Sequence, residues 1–180
     1  TVTSGQHHFL RVSGRPHYDE NEQFTGYRGS GTDITREVEN QQRSAALETR
    51  LAAAIAAVHD GFALFDANDK LVVVNDTWRT FYPGTAHIKV PGTSFETIIR
   101  ADLAAGFIPD TEGREEQYLA ERMARHTNPG EPIESRYSNN LWLRIDEHRT
   151  ADGEYVLIAS DITSLKRRES DLIESEQRFK

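Results

Sequence analysis

Seven histidines are the residues of this chain whose chemistry could include metal or haem binding. His7 and His8 are neighbours on a predicted strand, so their side chains point to opposite faces and do not chelate one ion by themselves. His126 ends a predicted helix, where a partly positive ring suits the helix dipole. His59 lies just before a predicted strand, and His87 lies in a loop before a predicted helix. No histidine has a second ligand at metal-site spacing, so the sequence predicts no metal-binding residues.

Catalytic motifs are also absent from the sequence. There is no cysteine, which excludes disulfides, thiolate metal ligands and thiol nucleophiles. The sequence contains no Gly-x-Ser-x-Gly elbow, no phosphate-binding glycine-rich loop and no Gly-x-Gly-x-x-Gly. Motifs of histidine kinases, cyclic-dinucleotide cyclases and their phosphodiesterases are missing too. We therefore expect that this chain is not itself an enzyme.

Composition narrows the possible partners. The 180 residues carry a formal net charge of −8 at pH 7, which argues against sequence-independent binding to nucleic acid or to an anionic membrane. No stretch of about 18 or more apolar residues is present, so we expect no membrane insertion. The first residues lack a basic region followed by an apolar stretch, as a signal peptide would have. A cytoplasmic location is the expectation.

One tripeptide occurs twice, as Asp33-Ile34-Thr35 and as Asp161-Ile162-Thr163, at an offset of 128 positions. Each copy follows a strand-like run and opens a charged, helix-like segment. Glu48 to Leu51 and Glu176 to Phe179 match at the same offset, whereas Phe9 to Val12 and Trp142 to Ile145 match at an offset of 133. A repeated unit with a strand-to-helix connector of constant length explains this pattern. The five extra residues of the first copy are expected in its turn, around residues 14–22.

The elements that position these residues follow from local patterns. Strands at 9–15 and 23–29 flank a turn rich in Gly, Pro, Asp and Asn, which is typical of a hairpin. A helix is expected over 36–59, without Pro or Gly, capped by Asp33 or Thr35. The remaining predicted elements are strands at 62–65, 71–74, 134–137, 141–149 and 154–162, and helices at 76–82, 94–107 and 115–126. In the last of these helices, Tyr118, Leu119 and Met123 form the apolar face and the charges lie opposite.

The two terminal helices carry apolar stripes. In the first helix the stripe is Leu47, Leu51, Ile55 and Val58; in the second it is Leu165, Leu172 and Phe179. The first stripe fits a helix packed on its own domain or a parallel coiled coil, and both interpretations stay open. The residues of the second stripe are seven positions apart, which favours a coiled coil and hence a homodimer through the linker helices.

These motifs resemble the PAS domain family of sensory modules, which ends its last strand in Asp-Ile-Thr. The resemblance, to a subgroup common in bacterial sensor proteins, covers about residues 48–163. It rests on residues 60–66, Val74-Asn75-Asp76, Val90-Pro91-Gly92, residues 113–116, residues 119–126 and Trp142-Leu143-Arg144. It implies an α+β fold with a five-stranded antiparallel sheet, helices on one face, and long N- and C-terminal linker helices. The implied domains are a C-terminal hairpin of an upstream PAS unit (1–35), a linker helix (36–59), a complete PAS domain (60–163), and an outgoing signalling helix with the start of a next unit (164–180).

The resemblance also implies a function. Such a module senses a ligand or partner and relays the change through coiled-coil linker helices to an output domain in the same parent chain, here a sensor histidine kinase or a diguanylate cyclase or phosphodiesterase. Asp161, Ile162 and Thr163, and likewise Asp33, Ile34 and Thr35, would couple the domain to the outgoing helix. The alternatives are a ligand-free protein-interaction and relay module, and a redox or gas sensor with flavin or haem.

A ligand pocket, in this family, lies between the central helices and the sheet. The residues that would line it are Phe65, Asn75, Trp78, Phe81, Phe95, Ile98, Ile99, Leu103 and Leu143. The competing interpretation is a filled core, with Asn75 as a simple helix cap. The sequence requires no cofactor and leaves a small organic ligand open. The absence of cysteine excludes flavin–thiol photochemistry.

Overall fold

The computed structural model describes residues 7–178 and divides into two compact units, up to Ala53 and from Ala54 onward. Phe179 and Lys180, part of the predicted C-terminal repeat and helix stripe, lie outside the described residues. The strands are β1 (Leu10–Tyr18), β2 (Phe24–Asp33), β3 (Gly61–Phe65), β4 (Leu71–Val74), β5 (Ile133–Arg136), β6 (Trp142–Arg149) and β7 (Tyr155–Asp161). The helices are α1 (Thr35–Ala56), α2 (Asp76–Thr80), α3 (Phe95–Ala104), α4 (Glu115–Thr127) and α5 (Thr163–Arg178), with a 3₁₀ helix at Pro83–Ile88.

The second unit is built on a five-stranded sheet in the order β4-β3-β7-β6-β5, with every neighbouring pair antiparallel. Alternation along β6 buries Leu143 and Ile145 and leaves Arg144 exposed, because successive side chains of a strand point to opposite faces. The core combines this sheet face with side chains of α2, α3 and α4. The α+β fold expected from the sequence is confirmed.

The first unit contains the hairpin β1–β2 and most of α1. The expectation that the five extra residues of the first repeat lie in its turn is wrong. Five residues separate the strands of this hairpin, as they do between β6 and β7, and the insertion lengthens the strands instead. Added residues in both strands extend the ladder by pairing with each other, and the register shift between His17 and Tyr18 absorbs the odd residue.

The hairpin β1–β2 repeats the register of β6–β7. Leu10 pairs with Asp33 as Leu143 pairs with Asp161. The environments differ, because Leu10 and Val12 are 61% and 74% exposed whereas their counterparts Leu143 and Ile145 are buried.

The 3₁₀ helix at Pro83–Ile88 lies where only a loop was expected after α2. Across the described residues, no helix combines the length and the apolar character that a bilayer-spanning segment requires.

Candidate functional site

The junction between β7 and α5 is held by three hydrogen bonds. The Thr163 backbone N–H donates to Asp161 Oδ1 at 2.8 Å, so the carboxylate caps the first residue of the helix. The Thr163 hydroxyl accepts the Trp142 backbone N–H at 2.9 Å, and the Ile162 N–H donates to the Trp142 carbonyl at 2.9 Å. The tripeptide therefore fastens the start of α5 to the first residue of β6.

The junction between β2 and α1 repeats this arrangement. The Thr35 N–H donates to Asp33 Oδ1 at 2.9 Å. The Thr35 hydroxyl accepts the Phe9 N–H at 2.8 Å, and the Ile34 N–H donates to the Phe9 carbonyl at 2.8 Å. The hydrogen bonds from Thr35 lower the pKa of the Asp33 carboxyl. Phe9 corresponds to Trp142 in the sequence repeat, so the same three bonds join equivalent residues in both copies.

One contact distinguishes the second junction. Lys166 Nζ lies 2.6 Å from Glu134 of β5 and 3.1 Å from Glu169, and the hydrogen bond to Glu134 raises the Lys166 pKa. The ammonium also lies 5.6 Å from the centre of the Trp142 ring. At the corresponding position of α1 stands Val38. The start of α5 is thus tied to two strands, β6 by backbone bonds and β5 by an ion pair.

The predicted pocket residues lie in or against a closely packed core. Phe65, Phe95, Ile98 and Leu143 are fully buried, Asn75, Trp78 and Ile99 are buried, and Phe81 and Leu103 are half-buried against them. The void beside Trp78, Phe95 and Ile99 measures about 20 Å³, roughly the space of one water. Small-molecule sites usually measure about 300–1,000 Å³, so this packing is a filled core.

Asn75 is a helix cap and also ties the start of the domain together. Its Oδ1 accepts the backbone N–H groups of Trp78 at 3.0 Å and Phe62 at 2.9 Å. Its Nδ2 donates to the Asp60 carbonyl at 2.8 Å and lies 3.4 Å from the Val58 carbonyl. A side chain with all its hydrogen-bonding capacity used by the backbone is a structural element rather than a free ligand contact.

A buried ion pair lies beside this core. Lys89 Nζ, with a side chain that is fully buried, donates to Asp102 Oδ1 at 2.8 Å and to the Thr85 hydroxyl at 2.6 Å. The Thr85 hydroxyl in turn donates to Asp102. The ammonium lies 4.6 Å from the centre of the Tyr82 ring. Burial lowers the pKa of Lys89 and raises that of Asp102, since a low-dielectric interior disfavours each charged form.

A second buried network joins α4, β6 and the β3–β4 turn. Arg122 donates two parallel hydrogen bonds of 2.8 Å to Glu147, and His126 Nδ1 lies 2.9 Å from the same carboxylate. His126 Nε2 lies 3.0 Å from Asp69, and its ring stacks on Phe95 at 3.7 Å between centres. Burial opposes the charge on Glu147, but the hydrogen bonds from His126 and Arg122 prevail and lower its pKa to about 2.

This network corrects two sequence interpretations. The expectation that the charges of α4 lie opposite Leu119 is wrong for Arg122 and His126, which are buried with Leu119 on one face. Spacings of three and seven residues place all three on that face. Likewise, His126 lies near the helix end as expected, where the helix dipole was its predicted interaction. Its side chain is in fact buried between the carboxylates of Glu147 and Asp69.

The remaining histidines stand apart from these networks. All six are exposed: His7, His8, His17, His59, His87 and His148. His8 lies 3.4 Å from Asp33. Within residues 7–178, no group of three or more His, Asp or Glu side chains is arranged to hold a metal ion.

The apolar stripes of the terminal helices face outward. Leu47 and Leu51 are 58% and 55% exposed, and Ile55 is half-buried. Val58, which was expected on the same helix, is exposed but lies two residues beyond the end of α1 at Ala56. In α5, Leu165 and Leu172 are 45% and 62% exposed, and the neighbouring Ile173, which the sequence analysis did not single out, is 56% exposed. Apolar surface repeated along a helix marks a surface for another element.

Comparison with known proteins identifies the family. A family model described as the PAS fold matches residues 55–170, which is more than half of the chain. The chain is 31% identical over 142 residues to the non-motile and phage-resistance protein of Caulobacter vibrioides, covering 78% of this chain and 15% of that protein.

Solved structures show weaker likenesses. The PAS domain of an HTR-like protein from Haloarcula marismortui is 14% identical with a TM-score of 0.43, covering 69% of this chain and 98% of that one. A domain of a sensory box sensor histidine kinase/response regulator from Geobacter sulfurreducens is 20% identical with a TM-score of 0.39, covering 64% and 94%. Such scores add nothing to the family match. On the strength of that match over residues 55–170, the chain belongs to the PAS family.

Proposed function

We propose that this chain is a sensory and dimerisation module of a bacterial signalling protein, and that it relays a change in its PAS domain through α1 and α5. The observation that carries this proposal is the repeated junction, in which Asp161, Ile162 and Thr163 make the same three hydrogen bonds as Asp33, Ile34 and Thr35. The start of α5 is fastened to β6, so a displacement of the sheet moves the helix. In this proposal α5 has two packings, one with the hydrogen bond between Thr163 and Trp142 formed and one with it broken. A partner or ligand shifts the population between them.

The domain organisation of the proposal follows the sequence repeat. In this proposal, residues 1–35 belong to the C-terminal hairpin of an upstream PAS unit, 36–59 to a linker helix, 60–163 to a complete PAS domain, and 164–180 to the outgoing signalling helix and the start of a next unit. The shared register of β1–β2 and β6–β7 supports it. The exposed Leu10 and Val12 would then be covered as Leu143 and Ile145 are.

We infer that the module responds to the binding of a partner and not to a ligand in its core. A core void of about 20 Å³ leaves no room for a small organic molecule, which favours the ligand-free interaction and relay module over a ligand sensor. Flavin or haem would need an even larger rearrangement of the core. The output domain, a histidine kinase or a cyclic-dinucleotide enzyme, belongs to the parent chain in this proposal. The Caulobacter relative, of which the chain spans 15%, is an example of a similar region within a much longer protein.

Spin-label distances across a dimer test the relay. Since the chain has no cysteine, a Ser175→Cys variant places one label on each α5. Asp161→Ala and Thr163→Val are expected to broaden the distance distribution between the two labels, while Asp171→Ala, a carboxylate removed further along the helix, leaves it unchanged. Removing a helix cap costs about 1 kcal/mol, enough to repopulate a two-state equilibrium roughly fivefold.

Two results would count against the proposal. The first is a molar mass by light scattering, at micromolar concentration, that corresponds to a monomer and is the same in Leu172→Glu. This result would contradict the helix-mediated dimer. Identical distance distributions in wild type, Asp161→Ala and Thr163→Val would show that the junction does not set the position of α5.

A further inference from the structure

A surface pocket of about 390 Å³ lies beside the second junction. Arg136, Asn140 and Trp142 line it from the β5–β6 connection, and Thr163 and Arg167 line it from α5, with Lys166 between them. Every charged residue in its lining is basic, although the whole chain has a formal net charge of −8. The pocket therefore concentrates positive charge at the point where the outgoing helix starts.

Two of these positive charges lack a carboxylate partner among residues 7–178. Arg136 Nη2 donates to the amide oxygen of Asn140 at 2.7 Å, a neutral partner that orients the guanidinium without cancelling its charge. Arg167 is exposed and makes no ion pair in the described part of the chain. Lys166, in contrast, is paired with Glu134 and Glu169. The free charge of the pocket comes from the two guanidinium groups, one on each side.

We propose that this pocket binds a small molecule through an oxyanion, phosphate or carboxylate, which bridges Arg136 and Arg167. A guanidinium group presents a planar set of N–H donors that matches both oxyanions and forms paired, charge-assisted hydrogen bonds with them. The Thr163 hydroxyl accepts the Trp142 N–H and keeps its own hydrogen available to donate. The pocket volume lies at the lower end of the usual range for small-molecule sites, about 300–1,000 Å³.

Binding there acts on the same helix as the proposed relay. An anion held by Arg136 and Arg167 adds a link between the β5–β6 connection and α5, next to the bonds that Thr163 and Lys166 already make. This link forms only when α5 lies against the β5–β6 connection, so a bound anion shifts the population toward that position of the helix. This consequence rests on the proposed function, whereas the binding itself does not.

A titration followed by the indole N–H resonances in NMR tests the binding. Trp142 lines the pocket and Trp78 is buried in the core, so the two tryptophans give a reporter and an internal control in one spectrum. The probes are inorganic phosphate, pyrophosphate and succinate, each at constant ionic strength. We expect a saturable shift of the Trp142 resonance with at least one probe and no shift of Trp78. The ratio of affinities for pyrophosphate and succinate identifies the preferred oxyanion.

Matched variants decide whether the response belongs to the pocket. Arg136→Gln and Arg167→Gln are each expected to weaken binding by on the order of tenfold, since a hydrogen bond to a charged group is lost. Arg168→Gln removes the same charge from the adjacent residue, which donates to the Ser164 carbonyl instead of lining the pocket, and should weaken binding less than about twofold. No saturable shift with any probe, or an equal loss in Arg168→Gln, overturns the proposal.

Hydrogen exchange of the first amides of α5 separates this inference from the relay. Slower exchange of these amides on saturation with the bound probe supports the link between the pocket and α5. Saturable binding without that change overturns the link, while the spin-label test of Asp161 and Thr163 is unaffected. Absence of binding overturns the pocket and likewise leaves the spin-label test standing.

Discussion

Replacing Glu147 by Gln should make the acid sensitivity of this domain smaller and the domain itself less stable at neutral pH. Glu147 is buried, and the hydrogen bonds from His126 and Arg122 lower its pKa from 4.5 to about 2. In the unfolded chain the carboxyl has its ordinary pKa and takes up a proton below about pH 4.5. Between these two values the unfolded state binds more protons than the folded state, so stability falls as the pH falls.

The magnitude follows from the shift. One pKa unit corresponds to about 1.4 kcal/mol, so Glu147 contributes about 3 kcal/mol at pH 7. That contribution is complete above about pH 5 and decreases progressively toward pH 2. Glu147→Gln keeps the shape of the protonated carboxyl but leaves Arg122 with a neutral partner, so the loss at pH 7 is expected at about 3 kcal/mol.

Urea unfolding at pH 7, 5, 4 and 3 measures this contribution. The difference in unfolding free energy between wild type and Glu147→Gln should shrink from about 3 kcal/mol at pH 7 to about half of that near pH 3. Glu131→Gln, at an exposed position, serves as the control and should differ from wild type by less than about 0.5 kcal/mol throughout. A difference between wild type and Glu147→Gln that stays constant from pH 7 to pH 3 would refute the assignment of a low pKa.

Two further predictions concern the interior. Lys89→Met should destabilise the domain by about 3–5 kcal/mol because Asp102 is left buried without its ionic partner, and adding Asp102→Leu should recover most of that loss; additive losses in urea unfolding of the double variant would contradict it. Gly61→Ala should lower the free energy of unfolding by about 1–3 kcal/mol, because a Cβ there would lie 2.9 Å from Phe81 Cε2 and 3.1 Å from the Trp78 backbone. An unchanged melting temperature would show that α2 moves aside without loss of stability.

Local patterns predicted the elements of the fold well. Ser94 caps α3 by accepting the Thr97 N–H, and serine is one of the residues preferred at the position before a helix. The alternation of Leu143 and Ile145 was visible because a strand buried on one face repeats every two residues. Continued two residues further, the same alternation places Glu147 on the core face, where it lies.

The buried networks were harder to predict because their partners are distant in sequence. Lys89 meets Asp102 across 13 positions, and Arg122 meets Glu147 across 25. A single charged residue in a pattern is usually on the surface, and only the partner brought close by the fold makes burial tolerable. The spacing of Leu119, Arg122 and His126 indicates one helix face. Because Arg122 and His126 are polar, a hydrophobicity pattern assigns them to the exposed side.

For the proposed relay, the contacts that the two junctions do not share are the most informative. The three hydrogen bonds of the tripeptide recur with similar distances in both copies, so they do not by themselves distinguish α5 from α1. The tie from Lys166 to Glu134 exists only in the second copy, since Val38 stands at the equivalent place in the first. This tie joins α5 to the edge strand of the sheet, beside the basic pocket. The closely packed core gives an internal ligand little room, so our proposal places the action of an external partner or anion on the helix at the β5 edge of the sheet.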